Sequence, residues 1–132
     1  MNQQERFECI KNWLLDLDYQ IISEDPNGVT LVIEKESDGI KNFVLFISPS
    51  ILIMEQYIFE LKQSQEEILT RLLQKNRDIV HGAFVLDDTG KKVIFRDTLQ
   101  TENLDKNELL ASLNALSLLL SEFSNEIITF SR

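Results

Sequence analysis

The sequence predicts an α+β fold, with a mainly antiparallel sheet and three helices in the order α-β-β-β-β-α-β-β-α. Three observations lead to it. Apolar residues recur at steps of three and four near both ends and once in the middle, the period of a helix with one buried face. Between those segments lie short runs rich in β-branched and aromatic residues, bounded by Gly, Pro, Asn and Asp. The runs come in groups instead of alternating one-for-one with helices, which indicates hairpins and excludes a doubly wound parallel sheet.

The first helix is expected over about residues 2–17. Phe7, Ile10, Leu14 and Leu17 fall on one stripe with Trp13 at its edge, while Glu5, Glu8, Lys11 and Asp16 fill the other side and Leu15 lies off the stripe. Tyr19 to Glu24 reads as a strand. Asp25-Pro26-Asn27-Gly28 is a turn, because Pro presets one φ and Asn or Gly accepts a positive one. Val29 to Lys35 alternates, with Val29, Leu31 and Ile33 opposite Thr30, Val32 and Glu34. Ser37-Asp38-Gly39 is the next turn.

The third and fourth strands, Lys41 to Ile47 and Ile51 to Phe59, flank the breaker Ser48-Pro49-Ser50 and break the simple pattern. Phe43, Leu45 and Ile47 occupy one face, yet Val44 and Phe46 occupy the other; Ile51 and Ile53 alternate with Leu52 and Met54 in the same way. A sheet covered on one side shows apolar-polar alternation. Apolar residues on both faces call for a second cover: the long helix of this chain, a second copy, or a bound segment of a partner.

A second helix is expected from Ser64, whose hydroxyl forms a capping box with Glu67. Its apolar face carries Ile68, Leu69, Leu72, Leu73 and Ile79, and Glu67 and Arg71 are spaced to pair along the wet face. A hairpin follows, Gly82 to Leu86 and Lys92 to Leu99 about Asp87-Asp88-Thr89-Gly90. The last helix runs from Asp105 into the mid-120s, with Glu108 completing a capping box and Leu104 and Leu109 spaced as a hydrophobic staple. Leu109, Leu113, Leu116, Leu120, Phe123 and Ile127 form its core stripe; Ala111, Ala115 and Leu118 make a second strip of mostly small residues.

The chain has 132 residues, the size of a single domain spanning 1–132 that needs no disulfide or metal to hold it. Its net charge of -9 argues against nucleic acid and against an anionic membrane surface; it is compatible with a basic or apolar protein partner, and surplus acid that simply keeps the protein in solution is the favoured reading. Cys9 is the lone cysteine, so no intrachain disulfide forms. The polar, acidic start MNQQERFE does not read as a signal peptide, and the longest apolar runs are too short to span a bilayer. A cytoplasmic protein is expected.

No residue pattern announces chemistry. His81 is the only histidine and sits at a hinge between helix and strand, without a metal-ligand spacing. Asp87-Asp88-Thr89-Gly90-Lys91 precedes a strand, whereas a phosphate-binding Gly-Lys precedes a helix; it also lacks the ligand series of a calcium loop. The carboxylate pairs Asp16 with Asp18 and Glu66 with Glu67 read as solvated surface, and no serine lies in a Gly-x-Ser-x-Gly elbow. A non-enzyme without cofactor or metal is expected.

The stretch LLQKNRDIVHGAFVLDDTGKKVIFRDTL, followed by the acidic-capped helix, resembles the second half of the YbjN family, which shares the type III secretion chaperone-like fold with the Tir-chaperone group. The resemblance rests on Asn76-Arg77 at a helix end, a strand led by Gly82 and carrying Phe84, the Asp87 to Gly90 turn, and the Leu104-Asp105 helix entry. It covers residues 68–123 as motif and the whole chain as element order. It implies a curved, helix-flanked antiparallel sheet. It also implies a homodimer that binds an extended segment of a partner on apolar patches without nucleotide. The expected partner-binding residues are Val44, Phe46, Ile53 and Tyr57, on the second apolar face. The alternative is a small-molecule-binding or regulatory domain whose only protein partner is itself.

Overall fold

The computed structural model describes residues 1–25, 27–62 and 65–132. Nine elements follow one another: α1 (Gln3–Asp16), β1 (Gln20–Glu24), β2 (Thr30–Lys35), β3 (Ile40–Ile47), β4 (Ile51–Glu60), α2 (Glu66–Asp78), β5 (Ala83–Leu86), β6 (Lys92–Gln100) and α3 (Lys106–Phe130). A single turn of 3₁₀ helix, Glu36–Asp38, joins β2 to β3. This is the predicted order, α-β-β-β-β-α-β-β-α.

The six strands form one sheet in the order β1-β2-β3-β4-β6-β5, with every neighbouring pair antiparallel. Consecutive strands pair through tight turns until β4, which pairs with β6; α2 and β5 are inserted between them, leaving β5 as one edge and β1 as the other.

One face of the sheet carries the core. Leu31 and Ile33, Leu45 and Ile47, Leu52 and Met54, and Val93 and Phe95 are buried with Phe7, Ile10 and Leu14 of α1, Leu72 of α2 and Leu109, Leu113, Leu116 and Phe123 of α3 in a single cluster. All three helices therefore serve the same face. The possibility that α3 covers the second face is corrected by this arrangement.

Helix starts and stops follow local chemistry. Asn2 accepts the Glu5 N–H at 2.8 Å and Asp105 accepts the Glu108 N–H at 2.8 Å, each satisfying one of the orphan donors of a first turn. Helix α3 continues to Phe130, beyond the mid-120s that its leucine stripe predicts, because Phe130 packs on Phe59 and Phe123 with ring centroids 6.1 and 6.0 Å apart. Helix α2 begins at Glu66 after Gln65; Ser64 of the expected capping box lies outside the described residues, as does Pro26 of the first turn. Arg71 does not take up the predicted partner Glu67. Its guanidinium reaches across to α3 and donates to both carboxylate oxygens of Glu126 at 2.8 and 3.2 Å, because α2 and α3 lie side by side over the β5 end of the sheet.

Two carboxamides finish what the ladders leave open. The β3–β4 pairing runs only from Ile47 to Val44, although β3 begins at Ile40. Buried Gln56 turns inward there; its carbonyl oxygen accepts the Lys41 N–H at 3.3 Å and its amide donates to the Lys41 carbonyl at 2.6 Å. Asn76, at the end of α2, treats Phe84 of β5 the same way, accepting its N–H at 2.7 Å and donating to its carbonyl at 3.1 Å. Just before β5, Gly82 adopts φ +84°, where a Cβ would sit 2.5 Å from the Phe95 ring and 2.9 Å from the Arg96 carbonyl. Phe84 then lies between Phe95 and Phe123, with centroids 5.8 and 5.7 Å away.

Gly82→Ala meets both backbone strain and a clash with the ring of Phe95, and should cost about 2–3 kcal/mol, read as a lower urea midpoint with an unchanged slope. Tyr19 gives a pH-dependent expectation. Burial, and secondarily the Asp38 carboxylate, push its phenol up to about 12. The neutral ring is favoured in the folded state, so this contribution is complete below the ordinary phenol pKa of about 10. It is lost as pH rises from about 10 to about 12. Urea midpoints measured across that window should fall for the wild type and fall less for Tyr19→Phe.

Candidate protein-docking face

The face of the sheet opposite the helices is built by register. Thr30 lies across from Phe46, Phe46 from Ile53, and Ile53 from Thr98. In the next row Val32 faces Val44, Val44 faces Glu55, Glu55 faces Arg96 and Arg96 faces Ala83. Beyond it, Tyr57 faces Ile94 and Ile94 faces Val85. Val44, Phe46, Ile53 and Tyr57 thus share one face. Phe46 and Ile53 are direct cross-strand neighbours, and Val44 is two residues along β3 from Phe46. Tyr57 is separated from Ile53 by Glu55, whose carboxylate lies 3.9 Å from Arg96 across the strands.

Burial distinguishes the two faces. Leu45, Ile47, Leu52 and Met54 have almost no exposed surface, whereas Phe46 is 44% and Tyr57 50% exposed, with Val44 and Ile53 half-buried. None of the four packs against the core. The sequence reading missed Val32, Val85 and Ile94, which extend the same surface. The alternation of Ile94 with Val93 and Phe95 is a two-faced signal of the kind seen in β3, and it identifies Ile94 once β6 is known to lie beside β4.

A second apolar feature lies at the sheet edge. Between α2 and β5 a groove of about 340 Å³ is lined by Leu69, Leu72, Leu73, Phe84, Leu86 and Val93, with Asn76 at its wall. The sequence places Leu73 on the buried stripe of α2, but it is 70% exposed. Helix α2 seats itself through Leu72 on an edge strand four residues long, and among the described residues no further strand extends the sheet under Leu73.

The residues considered for chemistry remain apart. His81 lies exposed in the α2–β5 connection, Cys9 is half-buried on α1, and no cluster of His, Cys, Asp and Glu suited to a metal ion occurs among the described residues. Asp16, Asp18, Glu66 and Glu67 are not buried. Asp87 serves its own hairpin. The Thr89 hydroxyl donates to it at 2.7 Å and the Lys92 N–H at 3.2 Å, and these bonds, the hydroxyl first, hold its carboxyl below the usual range. No helix among the described residues is long and apolar enough to cross a membrane.

The comparisons fit this geometry. The CesT_Tir_1 family model, which describes type III secretion chaperones, matches residues 3–132. The chain belongs to this family. Among solved structures it is similar to YbjN of E. coli, described as a candidate transcription regulator. That match has 13% identity and a TM-score of 0.70, and covers 91% of this chain and 92% of the other. The chain is also similar to a chain of the HopA1–SchA chaperone–effector complex, at 12% identity and TM-score 0.64, covering 92% and 96%. A third is a chain of the heterodimeric ExoU–SpcU complex of the Pseudomonas aeruginosa type III secretion system, at 15% identity and TM-score 0.64, covering 86% and 93%. At these identities the structural likeness shows a shared fold. No curated protein matches the sequence. The expected fold and the resemblance carried by Asn76-Arg77, Gly82, Phe84 and Leu104-Asp105 hold for this CesT_Tir_1 member.

Two adjacent residues of β3 test the distinction between the faces. Leu45→Ala, on the helix side, should cost about 2–5 kcal/mol, and Phe46→Ala, on the open side, no more than about 1 kcal/mol. Urea unfolding of both variants at low protein concentration measures this.

Proposed function

We propose that this protein is a non-enzymatic binding module of the secretion-chaperone type that holds an extended, apolar segment of a protein partner on the open face of its sheet. The observation that carries the reading is the apolar patch Val44, Phe46 and Ile53, with Tyr57 on the same face beyond Glu55, left uncovered because every helix packs on the other side. An extended segment lying across these strands meets alternating shallow apolar rows and buries side chains that the chain cannot bury by itself. The net charge of -9 favours a segment that carries basic residues between its apolar ones. The same charge disfavours DNA as the partner, whatever YbjN does. Membership of a chaperone family, and similarity to chains from a chaperone–effector complex and a type III secretion complex, support a protein partner.

The module is read as a homodimer. Helix α2 offers the exposed Leu73 at its middle, with Glu66 and Glu67 in the first turn and Lys75 and Arg77 in the last. Antiparallel pairing of two such helices about a two-fold axis sets acidic end against basic end. The groove beside α2 supports the alternative, a small-ligand or regulatory domain that only self-associates.

An array of immobilised extended peptides, alternating apolar and basic residues, separates the two. Wild type should bind a subset, and Phe46→Asp combined with Tyr57→Asp should weaken that binding at least tenfold at unchanged molecular mass. Leu73→Asp should halve the mass in sedimentation and retain peptide binding. Dimerisation with no peptide bound by any form supports the self-associating alternative.

A further inference from the structure

The two edges of the sheet present the usual hazard of unpaired backbone groups, which template pairing with another strand. Edge β1 is interrupted by a register shift between Ile21 and Ser23, which breaks the regular row of donors and acceptors. Edge β5 is four residues long and has no such shift in its pairing with β6. It is blocked in a different way. In an antiparallel ladder the backbone groups of alternate residues point to opposite sides. Phe84 turns its N–H and carbonyl away from β6, and there they meet the Asn76 carboxamide at 2.7 and 3.1 Å.

A carboxamide presents one acceptor and one donor side by side, as a strand's peptide group does. Asn76 therefore fills the hydrogen-bonding position that an incoming strand would need at the centre of β5. We propose that Asn76 acts as a stand-in strand that closes the β5 edge to β-strand addition, whether by a second copy or by an extended partner. The consequence goes beyond the docking reading above. Contacts in the groove beside α2 are then made by side chains such as Leu73 and Leu86, with no backbone pairing, and the sheet cannot grow from this end.

The device has a signature inside one molecule. Phe84 and Leu86 turn their N–H groups to the same open side by the alternation of the ladder, but only Phe84 meets Asn76. Residue-resolved amide exchange in the wild type should show Phe84 protected by roughly tenfold or more over Leu86. Equal rates overturn the proposal without any mutation, whether both amides exchange freely or both are protected because a strand already covers the edge.

In Asn76→Ala the Phe84 amide should exchange roughly tenfold faster while core amides such as Leu45 and Met54 keep their rates. The variant should also gain species larger than wild type as its concentration rises. Unchanged Phe84 exchange, or unchanged mass at every concentration, overturns the proposal. Asn76→Asp keeps the acceptor for the Phe84 N–H and adds charge at the edge, so Phe84 should stay protected and the mass should stay that of wild type; rapid Phe84 exchange in this variant also counts against the idea. These readouts are independent of peptide binding to the open face, so the docking reading can fail without affecting them.

Discussion

Burial in this molecule is one-sided, and most of its other properties follow from that. Three helices and the inward residues of five strands share a single cluster, with Ile21 of β1 packed against it, in which Leu31, Leu45, Leu52 and Val93 are fully enclosed. Each such side chain contributes roughly 1.5–3 kcal/mol relative to exposure. With α1, α2 and α3 committed to that face, no helix among the described residues is left for the other. The outward residues of β2, β3, β4, β5 and β6 must then pack only on one another across the strands, where a pair contributes a few tenths of a kcal/mol to about 1 kcal/mol.

The same commitment exposes the two edges and the gap where β3 and β4 part company. The chain meets the gap and the β5 edge with side-chain amides. Gln56 and Asn76 each take up the N–H and carbonyl of one residue that a ladder fails to pair. A buried peptide left unpaired there would cost about 1–3 kcal/mol per group, so these amides preserve backbone satisfaction where secondary structure cannot. Gly82 belongs to the same region. The chain leaving α2 passes so close to Phe95 and Arg96 that no side chain fits, and Phe84 can then enter the aromatic group formed with Phe95 and Phe123. The part of the family resemblance that runs from Asn76 through Phe84 is thus an architectural hinge and lies off the open face.

That distinction explains how much the sequence revealed. Element order and the burial of Phe7, Ile10, Leu14, Leu109, Leu113 and Phe123 were legible because period and burial are the same information on an amphipathic element. The two-faced character of β3 and β4 was legible too, since Val44 and Phe46 sit where a half-solvated strand places polar residues. Pairwise relations between distant elements left no such trace. Arg71 chose Glu126 over Glu67, four residues away, because α3 lies alongside α2, a fact of the tertiary structure. Gln56 and Asn76 read as ordinary polar residues until the positions of Lys41 and Phe84 are known. Leu73 followed the helical period and yet lies at the surface, because the period predicts a face and the width of the sheet beneath decides whether that face is covered.

An apolar sheet face, partly exposed, would ordinarily invite association of copies face to face. The chain's charge of -9 opposes this. Repulsion between like-charged copies acts over about a Debye length, near 8–10 Å at physiological ionic strength, comparable to the spacing of two stacked sheets. Face-to-face stacking would bring two acidic bodies within that range and strip water from the Glu55–Arg96 pairs of both copies, whereas pairing through α2 sets its acidic end against its basic end. A single extended segment bearing basic residues incurs none of this repulsion and gains from the same charge. Under the docking proposal, surplus acid and an uncovered apolar face, which look contradictory as separate features, together favour a slender cationic or neutral occupant over a second folded copy on that face.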